Sequence, residues 1–127
     1  MKLVTFENNN HISIGAVKDD HVIDFSNSSL PNEMIEFIKL GEEGLDKAND
    51  LIESPQNELS INNIKLLAPI TKPSKILAVG LNYNEHKDEV AQTAAKTIGK
   101  AQEKYPNIFN KQNSSVNGPY DLIHRPR

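Results

Sequence analysis

His86 and Glu89 stand three residues apart in the stretch Asn84-Glu85-His86-Lys87-Asp88-Glu89. On a helix that spacing turns both side chains the same way. A carboxylate held against an imidazole fixes the ring's orientation and raises its basicity, leaving the other ring nitrogen to take a proton from water. The pair supplies half of an acid–base mechanism. The same spacing also occurs on ordinary solvent-exposed helices, so its meaning depends on what surrounds it. His11 and His21 lie beside predicted turns with no partner at ligand spacing, which predicts surface positions for both.

The elements that must position the pair begin at Lys75. Ile76 to Val79 is a continuous apolar run closed by Gly80, and it predicts a short strand buried on both faces. Residues 84–104 are helix-compatible, with Val90, Ala94, Ala95 and Ile98 as a weak apolar stripe interrupted by Gly99, so a loosely packed segment is expected there. Tyr105-Pro106 ends it. Asn107 to Lys111 reads as a short strand, Asn113 to Pro119 as a loop centred on Asn117-Gly118, and Tyr120 to His124 as the next strand.

Upstream, Lys2 to Glu7, Ile12 to Lys18 and His21 to Phe25 predict an antiparallel meander. Asn8-Asn9-Asn10 and Asp19-Asp20 are its turns, since Asn and Asp tolerate left-handed backbone. Pro31 is expected to open a helix running to about Leu40, with Met34, Ile35 and Ile38 on one side and Gly41 as its stop. A second amphipathic helix is expected from Glu43 to Glu53, carrying Leu45, Ala48, Leu51 and Ile52, and both helices would cover one face of the meander. Ile61 to Ala68 predicts a strand. Pro69 and Pro73 restrict the connection that follows and remove two ladder donors. The expected division is therefore a small α+β domain at 1–70 and a second domain beginning at 71 and still incomplete at 127.

Composition narrows the function classes. The 127 residues carry a net charge of −3, which argues against nucleic acid as a partner. Residues 1–70 hold five lysines and no arginine against twelve acidic residues, whereas residues 71–127 hold nine basic against five acidic. A basic second half suits a small anionic substrate, and an ordinary solvated surface gives the same counts. The absence of cysteine excludes disulfides, thiolate metal sites and cysteine nucleophiles, and it favours a reducing cytoplasm. No run approaches the roughly 18 apolar residues of a membrane span, so no membrane partner is expected. The closing residues Tyr120 to Arg127 read as a strand entering a further element, and the chain is expected to be a fragment.

The stretch Lys75-Ile-Leu-Ala-Val-Gly-Leu-Asn-Tyr-Asn-Glu-His86, preceded by Leu66-Leu67-Ala68-Pro69-Ile70 and Pro73-Ser74-Lys75, resembles the fumarylacetoacetate hydrolase family. The resemblance continues through Pro106-Asn-Ile-Phe-Asn-Lys111, Ser114-Ser115, Gly118-Pro119 and the segment Ile123 to Pro126. Lys2-Leu3-Val4, Gly15-Ala16-Val17 and Val22-Ile23-Asp24-Phe25 are similar to that family's small N-terminal domain. The fold it implies is α+β: a β-meander with two helices, then the first strands and lid helix of a mixed β-roll catalytic domain.

The activity it implies is a metal-dependent reaction on 2-keto or 1,3-dicarbonyl acids: C–C bond hydrolysis, decarboxylation or keto–enol isomerisation. A divalent ion, magnesium, calcium or manganese, would act as Lewis acid. His86 would be the base that activates water and Glu89 its orienting partner. Gly80 and Tyr83 would shape the mouth of the site, and Lys111 would face a substrate carboxylate or oxyanion, a structural salt bridge being the alternative. A homodimer is implied as well.

The family's metal ligands, a Glu-x-Glu pair and a later Asp, would fall beyond Arg127. This sequence contains no Glu-x-Glu, and Asp121 is not taken as a ligand. The interval between His86 and Phe109 is also longer than the resemblance leads one to expect. A truncated, non-catalytic assembly module is the alternative from a different function class.

Overall fold

A computed structural model describes residues 1–80 and 106–125. It divides into two units, Met1–Lys72 with Val116–Arg127, and Pro73–Ser115.

The first unit is built on a five-stranded antiparallel sheet. Strands β1 (Lys2–Asn8), β2 (His11–Lys18) and β3 (His21–Asp24) pair in succession, with Val4 opposite Gly15 and Ala16 opposite Ile23. Asn9, Asn10 and Asp19 take positive φ at the two turns, the left-handed conformation that short polar side chains accept most readily. The chain then forms helices α1 (Met34–Lys39) and α2 (Glu42–Glu53), joined through Gly41 at φ 58°. Strand β4 (Glu58–Ser60) and the two-residue strand β5 (Lys65–Leu66) complete the order β4-β3-β2-β1-β5.

Only four residues, 61–64, lie between Ser60 on one edge and Lys65 on the other, a span of five Cα steps. A flat sheet would hold those edges about 19 Å apart. Five such steps extend at most about 17 Å, so the sheet must curl to bring its edges within reach. That geometry replaces the continuous strand expected over Ile61 to Ala68. The chain leaves β3 after Ser60, turns through a 3-10 segment at Ile61–Asn63, and pairs with β1 only at Lys65 and Leu66. Thr5 Oγ1 then donates to the Pro69 carbonyl at 2.7 Å, tying the outgoing chain to the sheet.

Helices and sheet share one core of Ile14, Ala16, Ile23, Phe25, Leu30, Met34, Phe37 and Ala48. The rings of Phe25 and Phe37 lie 6.1 Å apart, within the range of favourable aromatic pairs. This pairing sets the roll of α1: Met34 and Phe37 are buried, whereas Ile35 and Ile38, expected on the inner side, are exposed. In α2 the buried residue of the expected stripe is Ala48, Leu51 and Ile52 pack at its margin, and Leu45 is exposed. The helix expected from Pro31 starts at Met34 instead. Leu30 is drawn into the core, and Ser28 holds the preceding turn by accepting from the Leu30 N–H and donating to the Phe25 carbonyl.

The second unit contains β6 (Ile76–Gly80) and β7 (Asn107–Lys111), paired antiparallel from Ile76↔Lys111 to Gly80↔Asn107. Here the double-sided burial expected for Ile76 to Val79 is corrected. Ile76 and Ala78 are half-buried, while Leu77 and Val79 are 66% and 49% exposed. A strand is covered on both faces only when layers lie on both sides, and among the described residues the pair has no second layer over Leu77, Val79 and Ile108. A 3-10 turn at Asn113–Ser115 follows β7.

The strand expected at Tyr120 to His124 does not form. Gly118 to Asp121 is a turn closed by the Asp121 N–H on the Gly118 carbonyl, with Pro119 where a turn favours proline. Tyr120, Leu122 and Ile123 are exposed, and no described strand offers them a ladder.

Truncating Phe25 removes both its transfer energy and its partner ring. Phe25→Ala is expected to cost about 3–5 kcal/mol, and Ile38→Ala no more than about 0.5 kcal/mol. Equilibrium chemical denaturation checks both, and comparable losses would contradict the packing described.

Candidate functional site

The β6–β7 ladder is the frame of the candidate site. Its last rung, Gly80↔Asn107, fixes the two points between which residues 81–105 run. Tyr83, His86 and Glu89 belong to that stretch and lie outside the described residues, as does the helix expected over 84–104.

Gly80 and Lys111 can be placed. Residues directly opposite one another in an antiparallel pair share a face, and alternate residues along a strand return to it. Ile76, Ala78, Gly80, Asn107, Phe109 and Lys111 therefore share one face, and Leu77, Val79, Ile108 and Asn110 the other. Gly80 and Lys111 lie on the same face but at opposite ends of the ladder, about 13 Å apart along the strands. The ladder does not bring them together. At the Gly80 end the paired neighbour is Asn107, which sequence reasoning passed over.

Gly80 is explained locally by that neighbour. A Cβ built there would sit 3.2 Å from Asn107 Nδ2 and 3.5 Å from the Asn107 carbonyl oxygen. The residue thus keeps room for the Asn107 amide. The signal was present in the sequence only as a glycine closing an apolar run.

No group of three or more His, Asp or Glu side chains among the described residues could hold a metal ion. The one carboxylate of the second half that the structure describes, Asp121, is otherwise engaged. Its Oδ1 accepts from Lys65 Nζ at 3.0 Å and its Oδ2 from the Gly118 N–H at 3.1 Å. These two partners, Lys65 first, hold its carboxyl below the usual carboxylate range, and Asp121 in turn raises the Lys65 ammonium above its ordinary value. Asp121 serves as a fastening between β5 and the chain after Val116. The described residues do not fit a divalent ion.

Among the described residues, an open depression of about 330 Å³ in the first unit is lined by residues that include His11, Ser13, Asp24, Ser26 and Asn32. Its carboxylate is spoken for. Asp24 Oδ1 accepts from Ser13 Oγ and the Ser26 N–H, and Oδ2 from Ser26 Oγ and Asn57 Nδ2 at 2.8 and 2.9 Å. A carboxylate with four donors pins the end of β3 and has little left for a ligand. Sequence reasoning missed this hub because only Ser26 is a near neighbour, while Ser13 and Asn57 lie 11 and 33 residues away.

Comparison with known proteins decides the family. Residues 75–127 match the family model described as fumarylacetoacetate (FAA) hydrolase C-terminal. A mitochondrial oxaloacetate tautomerase of Xenopus laevis is 40% identical over 132 residues, which cover 99% of this chain. The chain belongs to the fumarylacetoacetate hydrolase family.

It spans about two-fifths of its relatives: 39% of the Xenopus protein's length and 40% of a fumarylacetoacetate hydrolase from psychrophilic Exiguobacterium antarcticum. The latter structure superimposes with a TM-score of 0.65 at 30% identity over 98% of this chain. A maleylpyruvate hydrolase from Sphingobium sp. SYK-6, solved with manganese(II) and pyruvate, gives 0.62 at 22% identity over 97% of this chain and 41% of its own; that likeness is one of fold. Among the described residues no helix is long and apolar enough to cross a membrane.

A methyl group at position 80 presses on the movable end of a side chain, which can rotate away. Gly80→Ala is expected to change stability by less than about 1 kcal/mol, and Asn107→Ala in the same chain to remove any cost. Thermal denaturation of the single and double variants measures this. A large loss that the second substitution leaves in place would contradict the assigned role of Asn107.

Proposed function

We propose that this chain is part of an enzyme that interconverts the keto and enol forms of a small keto acid of the oxaloacetate type. The observation that carries the reading is the 40% identity to an oxaloacetate tautomerase, sustained over 99% of the chain. Hydrolysis of a C–C bond in a 1,3-dicarbonyl acid is the second reading, favoured by the likeness to the Exiguobacterium hydrolase at 30% identity. Both reactions pass through charge delocalised over an enolate.

In the proposed mechanism His86 is the base. For isomerisation its free ring nitrogen takes the proton from the carbon between the ketone and the distal carboxylate, and the proton is returned to oxygen. For hydrolysis the same nitrogen takes a proton from the attacking water. Glu89 holds the opposite ring nitrogen and stabilises the imidazolium that forms. Tyr83 and Gly80 border the site, and Lys111, at the far end of the ladder, supplies positive charge for a carboxylate of a substrate lying between the two ends. A divalent ion (magnesium, calcium or manganese) belongs to the proposal for the complete protein and would be held by residues other than those described. The manganese of the Sphingobium protein supports that part. Homodimerisation is proposed as well, supported by the apolar face of Leu77, Val79 and Ile108, which could receive a further layer. A cytoplasmic setting is supported by the absence of cysteine.

The test follows oxaloacetate enol–keto conversion and acylpyruvate cleavage with magnesium or manganese added. The 127-residue chain alone is expected to turn over neither. In the complete protein, His86→Ala is expected to lower kcat by about 10²–10⁴, and Glu89→Gln by less. Full activity in His86→Ala would overturn the proposed base, and cleavage without enol–keto conversion would select the hydrolytic reading.

A further inference from the structure

Asn117-Gly118 is the dipeptide that cyclises most readily in polypeptides. Glycine offers no side chain to block the approach of its amide nitrogen to the preceding side-chain carbonyl carbon. In that reaction the Gly118 nitrogen gives up its proton to solvent and bonds to Asn117 Cγ, and ammonia leaves. Water then opens the resulting succinimide to aspartate or isoaspartate. The reaction needs a free Gly118 N–H and an Asn117 side chain that can swing back over it.

The structure denies both. The Gly118 N–H donates to Asp121 Oδ2 at 3.1 Å, and Lys65 lies against the other oxygen of that carboxylate. An N–H pointed at a carboxylate is harder to deprotonate. The Asn117 amide is held separately, with Nδ2 3.2 Å from the Asp121 carbonyl and 3.4 Å from the Leu122 carbonyl. The glycine is itself required by the same arrangement. A Cβ at position 118 would fall 2.6 Å from Asp121 Oδ2 and 3.3 Å from the Leu66 carbonyl oxygen, so a larger residue would push the carboxylate away. The feature that demands glycine, and so creates the labile dipeptide, is also the feature that protects it.

We propose that Asn117-Gly118 is a latent deamidation site, held closed by the Gly118 N–H bond to Asp121, opened when that bond is lost and loosened in part when Lys65 no longer holds the carboxylate. Conversion would place a carboxylate against the carbonyl oxygens of Asp121 and Leu122. Repulsion there would loosen the Gly118 turn from β5 and make the change self-reinforcing.

The experiment incubates the folded chain at neutral pH, digests it, and follows aspartate and isoaspartate at position 117 by fragment mass spectrometry. Native protein is expected to deamidate there at least about tenfold more slowly than the same chain in guanidinium, the factor that follows from one charge-assisted hydrogen bond. Asp121→Ala is expected to recover most of that factor, and Lys65→Ala, which spares the acceptor, a smaller part. Asn117→Gln should abolish the signal. Equal rates in native and unfolded wild-type chain would overturn the proposal, whether or not the variants fold. So would an Asp121→Ala protein that keeps its circular dichroism spectrum and deamidates no faster than wild type.

Discussion

Backbone pairing between Gly80 and Asn107 is the constraint on which the functional account rests. A ladder of five rungs from Ile76↔Lys111 to Gly80↔Asn107 sets where residues 81–105 depart and where they return. Lys111 stands at the other end of the same face, roughly 13 Å away along the strands. Asn107 occupies the space that a side chain at position 80 would need.

The first unit solves a separate problem. Its sheet is short and its two edge strands are only three and two residues long. Curling brings those edges close enough for four residues to bridge them. The core inside depends on Phe25 and Phe37, and Asp24, with its four donors, secures the end of the strand that delivers Phe25. Asp121 acts similarly for the later segment, where an ion pair with Lys65 and a bond from Gly118 replace a strand ladder.

Much of this was legible in the sequence, and the misses have physical causes. Asn9, Asn10 and Asp19 marked the hairpins because turn chemistry is local. The Ile76 to Gly80 strand and its partner at Asn107 to Lys111 were legible from apolar runs with glycine and proline at their borders. The roll of α1 was not. Ile35 and Phe37 are both apolar, and only the position of Phe25 across the core decides between them. Ile61 to Ala68 looked like one strand because β-propensity ignores the crossing from one edge of the sheet to the other. Tyr120 to His124 has strand-forming residues and no partner, and a ladder needs two sides. For the candidate site, residue types pointed to His86 and Glu89, whereas Asn107 carried no signal in spacing or composition.

The family assignment and the ladder leave one claim central: the imidazole of His86, backed by Glu89, works on the substrate carbon from the Gly80 end. A structure of the complete protein with magnesium and oxalate bound measures this most directly. The account predicts Glu89 within about 2.6–3.2 Å of one His86 ring nitrogen, with the other nitrogen directed at the oxalate. A His86 ring turned to bulk solvent, with oxalate bound elsewhere, would contradict it.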